Sequence, residues 1–130
     1  MNLLFDTSIL IAIEKKDNNV LSGIKELIVF YPDLPKISFI TYFEFYDGVQ
    51  DKQPKNKEKA VHLLNKFTLL PTSKRTAEIL SDLKKAGEKE GTPLPLADLI
   101  IASQAIEHDA ILVTRDKGFS HLKTLKKIIL

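Results

Sequence analysis

Apolar and polar positions along this chain fall into blocks that change period, and the blocks predict strands and helices in turn. Leu3-Leu4-Phe5 is a short apolar run that stops at Asp6-Thr7-Ser8, residues suited to capping a helix, and Ile9 to Lys15 reads as that helix. Val20, Leu21, Ile24, Leu27 and Ile28 recur at helical spacing. Pro32 and Pro35 then break the chain before a second short strand, Ile37 to Phe39. Thr41 is expected to begin a helix running to about Val49, with the polar stretch Gln50 to Asn56 as a loop. Ala60, Leu63, Leu64 and Phe67 form one helical stripe, Leu69-Leu70 a short strand, and Thr76, Ile79, Leu80, Leu83 and Ala86 a second stripe that Gly87 or Gly91 ends.

Leu96-Ala97-Asp98-Leu99-Ile100-Ile101-Ala102 follows Pro93 and Pro95 and reads as the start of a helix, closed by His108 and Asp109. Its almost continuous apolar character implies burial on several sides. Ile111-Leu112-Val113 suits a buried strand, Thr114-Arg115-Asp116 leads to a turn at Gly118, and Lys126 to Leu130 reads as an edge strand. Strands alternating with helices imply an α/β fold: a parallel sheet with helices on both faces, because parallel neighbours need crossover connections. There is no repeat and no long linker, so residues 1–130 are expected to form a single domain.

Composition narrows the chemistry. With no cysteine, disulfides, thiolate zinc sites and a cysteine nucleophile are excluded, and any bound metal must use oxygen or imidazole ligands. The apolar run Ile9 to Ile13 is too short to span a bilayer and lacks the basic start of a signal peptide, so a cytoplasmic protein with no membrane association is expected. Net charge is only +2, but lysines gather from Lys52 to Lys66, and basic residues again at Arg115, Lys117, Lys123, Lys126 and Lys127. A solvated surface explains them, and a phosphate-backbone footprint is the competing reading.

In a parallel sheet, ligands bind outside the carboxyl ends of the strands. Asp6, Glu44 and Asp116 follow strands directly or within about two helical turns, and Asp98 opens the helix that leads into Ile111 to Val113. Singly, each has a structural explanation: Asp6 and Asp116 as N-caps, Asp98 at a helix dipole, Thr41 to Glu44 as a capping box. Together they would crowd and repel unless some were protonated or a cation neutralised them. A hard divalent ion, Mg2+ or Mn2+, suits an all-carboxylate set, and phosphodiester hydrolysis is the reaction such a site performs. Ser8 and Thr114 stand beside Asp6 and Asp116 in sequence and are candidates for orienting a carboxylate or a water. His62, His108 and His121 are dispersed, and neither a nucleophile elbow nor a phosphate-binding glycine loop is present. Phe39, Tyr42, Phe43, Phe45 and Tyr46 exceed what one buried stripe needs, and any exposed remainder offers a dimer or partner surface.

Phe5-Asp6-Thr7-Ser8 with Leu10-Ile11, Ile37-Ser38 through Thr41 to Glu44 with Gly48, Leu96 to Ala102, and Leu112-Val113-Thr114-Arg115-Asp116 together resemble a PIN domain. The resemblance spans nearly the whole chain and is strongest to the VapC-like toxin ribonucleases of prokaryotic toxin-antitoxin pairs. It implies that Asp6, Glu44, Asp98 and Asp116 are the acidic metal site, that Mg2+ or Mn2+ supports RNA cleavage, and that the protein is a homodimer with an antitoxin partner. The chain departs from the family at Gly118, where many relatives carry a further acid, and in its aromatic Tyr42 to Tyr46 segment. Two other readings are open. One is a non-catalytic RNA-binding scaffold of the same fold. The other is a phosphatase of the haloacid dehalogenase class, which normally carries a second Asp where this chain has Ser8.

Overall fold

The computed structural model describes residues 1–130. Five strands, β1 (Leu3–Phe5), β2 (Lys36–Ile37), β3 (Thr68–Leu69), β4 (Ile111–Thr114) and β5 (Lys127–Ile129), pair in the order β3-β2-β1-β4-β5, and every pairing is parallel. Six helices connect them: α1 (Thr7–Glu14), α2 (Asn18–Phe30), α3 (Phe39–Val49), α4 (Pro54–Leu64), α5 (Lys74–Glu90) and α6 (Leu96–Glu107). The expected α/β class is therefore the observed one.

Successive residues of a strand point to opposite faces, and the core divides accordingly. Leu3, Phe5, Ile111 and Val113 join Ile9, Leu10, Val20, Phe45 and Leu64 in one apolar cluster, beneath α1 to α4. Leu4 and Leu112 point the other way, into a cluster with Ile101, Ala102, Ala105, Phe119 and Leu125, beneath α6 and the turn after β4. Both faces of the central strands are thus buried, which is why β1 and β4 read as unbroken apolar runs. Burial on several sides also holds for α6, where Leu99 and every residue from Ile101 to Ala105 are buried.

Several boundaries differ from expectation, each for a local reason. Phe39 is not in a strand. Ser38 caps α3 by accepting from the Ile40 amide at 3.1 Å, so β2 ends at Ile37 and the helix starts two residues before Thr41. Thr41 and Glu44 consequently lie inside α3 and form no capping box; the chain's capping box is Ser73 with Thr76, at the start of α5. Part of the expected loop Gln50 to Asn56 is helical, because Pro54 stands at the first turn of α4, where proline lacks only an amide that would be unpaired anyway. Thr68 and Leu69, rather than Leu69 and Leu70, pair with β2. Gly91, at φ +73°, ends α5. The turn at Gly118 is a short 3-10 helix, Lys117–His121, and β5 closes the sheet edge in parallel.

Candidate active site

Sheet order reverses direction at β1: β2 and β3 extend to one side, β4 and β5 to the other. In open α/β sheets a crevice forms at such a point, outside the carboxyl ends of the strands. Asp6 follows β1 immediately, and Asp116 stands two residues beyond β4. Asp98 occupies the first turn of α6, which precedes β4, and Glu44 lies in the middle of α3, the helix after β2.

Asp6 is 4% exposed and held on all sides. Its Oδ1 accepts from Ser8 Oγ at 2.5 Å and from the Ile9 amide at 3.2 Å, and its Oδ2 accepts from Thr114 Oγ1. The same two hydroxyls also accept: Ser8 Oγ from the Arg115 amide at 3.1 Å, Thr114 Oγ1 from the Asp116 amide at 2.9 Å. Each hydroxyl is thus a bridge between the Asp6 carboxylate and the backbone after β4, so Asp6 and Asp116 are set relative to one another by a short hydrogen-bonded path. Asp116 in turn accepts from the Gly118 amide at 2.8 Å and caps the 3-10 turn. Glu44 is tied into the group by Thr7, whose Oγ1 donates to Glu44 Oε1 at 2.7 Å.

The acids feel one another's charge. Burial first, then the charges of Asp116, Asp6 and Glu44 in that order, together raise the Asp98 carboxyl from 3.8 to about 6. Burial likewise raises Asp6, partly offset by its Ser8, Thr114 and Ile9 hydrogen bonds, with Asp116 adding to the rise. Four carboxylates from four segments share one electrostatic neighbourhood, an arrangement that costs stability unless positive charge enters it.

No group of three or more acidic or histidine side chains closes into a ready-made metal cage. The donor set nevertheless fits a hard divalent cation. Its oxygens are carboxylates, their repulsion is uncompensated by any lysine or arginine bound to them, and magnesium usually binds through one or two carboxylates while keeping several waters. The histidines lie apart from this group: His62 and His121 are exposed, and His108, at the opposite end of α6 from Asp98, approaches the Pro71 carbonyl at 2.8 Å. The basic tracts are partly absorbed locally, with Arg115 on Asp17 at 3.3 Å, Lys52 on Glu14 at 3.5 Å and Lys126 on Asp109 at 2.7 Å.

One residue of the site was read from the sequence as part of a helix cap and of the Phe5-Asp6-Thr7-Ser8 segment, with no role of its own. Thr7 precedes Ser8 in a capping triplet, and nothing in that local pattern signals a bond to a residue 37 positions away; only the packing of α1 on α3 reveals it.

A parallel α/β sheet with a group of acids at its switch point is the class of domain that the fold and site define. The PIN domain model matches residues 3–125, and the chain belongs to that family. Among solved structures it is similar to VapBC2 from Rickettsia felis bound to a promoter DNA fragment, at 27% identity and TM-score 0.86, covering 100% of this chain and 99% of that one. It is also similar to VapBC-1 from nontypeable Haemophilus influenzae (23% identity, TM-score 0.79, 99% and 98% covered). DNA-bound VapBC from Salmonella typhimurium shares the fold at 20% identity and TM-score 0.82, with 99% and 98% covered. No curated protein matches the sequence. No helix is long and apolar enough to cross a membrane.

Proposed function

We propose that this chain is a metal-dependent endoribonuclease and the toxin of a toxin-antitoxin pair, with Asp6, Glu44, Asp98 and Asp116 holding Mg2+ or Mn2+. The observation that carries the reading is the coupling of Asp98 to acids from three other segments at the carboxyl edge of the sheet. Family membership and the likeness to the Rickettsia felis VapBC2 structure support both the nuclease activity and an antitoxin partner.

When bound, the divalent ion supplies Lewis-acid polarisation of the scissile phosphoryl group and an activated water. The chain supplies position. Asp6, buried and fixed through both oxygens, is the rigid member of the set. Ser8 and Thr114 orient it while holding the backbone that presents Asp116, which is exposed and lies on the solvent side of the group. Asp98 is held by the N-terminal turn of a buried helix, so its main chain has little freedom to retreat from the other charges.

On this reading residues 1–130 are one domain, the substrate is RNA, and the active form is a cytoplasmic homodimer that an antitoxin inhibits. Surface for partners is present: Val29, Phe30 and Leu34, at and beyond the end of α2, are 76%, 78% and 77% exposed, and Phe39 and Phe43 lie half open on α3. A panel of RNAs incubated with Mg2+, Mn2+ or chelator, using wild type and Asp6→Asn, tests the proposal. Cleavage that needs the metal and disappears in Asp6→Asn is expected. Cleavage that survives both chelator and substitution would overturn the metal mechanism, and RNA binding without cutting under every condition would favour the scaffold reading.

A further inference from the structure

Glu44 differs from the other three acids in how it is held. A glutamate in the middle of a helix has three side-chain torsions to fix, and fixing long polar side chains is entropically costly. The other three acids are held by backbone features: Asp6 and Asp116 cap a helix and a 3-10 turn, and Asp98 sits in the first turn of α6. Glu44 has no such local restraint, because α3 begins at Phe39 and is capped by Ser38.

Thr7 meets that need from another element. Its Oγ1 donates to Glu44 Oε1 at 2.7 Å, a length expected for a hydroxyl donating to a charged carboxylate, and Thr41 Oγ1 stands 3.5 Å from the same hydroxyl. Thr41 is fully buried and lies one turn before Glu44, so it walls the hydroxyl on the α3 side. Thr7 is β-branched and stiff at χ1. It is also the first residue of α1, directly after Asp6, so the turn that places Asp6 also places the donor for Glu44.

We infer that Thr7 is a positioning residue: its hydroxyl pins one carboxylate oxygen of Glu44 and leaves the other available to a divalent cation bound by the acidic group. The inference rests on the metal-site reading above. One local structure, the Asp6-Thr7-Ser8 turn, then organises three relationships at once: Asp6 as a carboxylate donor, Ser8 as its bridge to Arg115, and Thr7 as the link to α3. Groups that orient a metal's ligands typically cost 10–100-fold in metal affinity when removed, so Thr7→Val is expected to weaken Mn2+ binding by about tenfold or more.

The test is Mn2+ affinity by calorimetry on the full chain, for wild type, Thr7→Val, Thr7→Ser, Glu44→Ala and the Thr7→Val/Glu44→Ala double variant, with circular dichroism checking that each is folded. Weaker binding in Thr7→Val, recovery in Thr7→Ser, and no further loss when Thr7→Val is added to Glu44→Ala are the expected results. Recovery by serine separates the hydroxyl from the packing of the methyl group, and the double variant separates action through Glu44 from general damage to α1. Thr7→Val that binds Mn2+ like wild type overturns the inference while Glu44→Ala still reports on the site. So does an equal loss in the Glu44→Ala background. Wild type that binds no Mn2+ removes the metal-site reading and this inference with it.

Discussion

Replacing Asp98 by asparagine should stabilise the metal-free protein, because it removes a charge that the fold holds at a cost. The carboxyl rises from 3.8 to about 6, chiefly through burial and then through Asp116, Asp6 and Glu44. Each pKa unit is worth about 1.4 kcal/mol, so the rise caps the effect at roughly 3 kcal/mol. Asp98 is only partly buried, and solvent screening brings the expected gain to about 1 kcal/mol. The direction with pH follows from linkage. The folded state holds the Asp98 proton more tightly than the unfolded chain, so the penalty is absent below 3.8, grows between 3.8 and about 6, and is complete above that. Urea unfolding in chelator should therefore show Asp98→Asn ahead of wild type by about 1 kcal/mol near neutral pH, and level with it at about pH 3.5. In thermal melts that gain is about 4 °C at neutral pH. Adding Mg2+ should then raise wild type more than the variant, because a ligand stabilises only the form that binds it. Equal stability of the two proteins at neutral pH, or a variant less stable there than wild type, would refute the electrostatic account of this site.

Asp6→Asn should lower RNA cleavage by about 100-fold or more while the fold is retained, measured as initial rates in saturating Mg2+. Thr114→Val removes both the donor to Asp6 and the acceptor for the Asp116 amide, so cleavage should fall 10–100-fold, with little change in the affinity for RNA measured in chelator. Gln104 is fully buried; it accepts from Ser38 Oγ and donates to the Leu70 carbonyl at 3.0 Å, joining α6 to the ends of β2 and β3. Gln104→Leu strands both partners in the core and should cost about 2 kcal/mol in urea unfolding. Gly91→Ala places a Cβ on a left-handed residue at φ +73° and should cost about 1 kcal/mol in the same assay, without altering cleavage rates.

Apolar periodicity determined the class of fold. Leu3 to Phe5 and Ile111 to Val113 are unbroken apolar runs because both faces of their strands are covered, and the helical stripes between them leave a parallel sheet as the simple solution. Family membership was legible in the ends of β1, β2 and β4 together with the starts of α1, α3 and α6, and the family model matches residues 3–125. Boundaries were less legible where a single polar residue decided them: Ser38 claimed the helix start assigned to Thr41, and Pro54 pulled α4 into the expected loop.

What the linear order of residues left undecided is which side chains meet. Asp6, Glu44, Asp98 and Asp116 could be named as candidates one by one, but each also had a capping explanation that local sequence could not discard. Their electrostatic coupling arises from strand order, which puts β1 beside β4 and turns α3 and α6 toward the same edge. Thr7 on Glu44 and Gln104 between Ser38 and Leu70 were invisible for a sharper reason. A hydrogen bond between residues distant in sequence leaves no periodic trace along the chain, and only the packed elements bring donor and acceptor within reach.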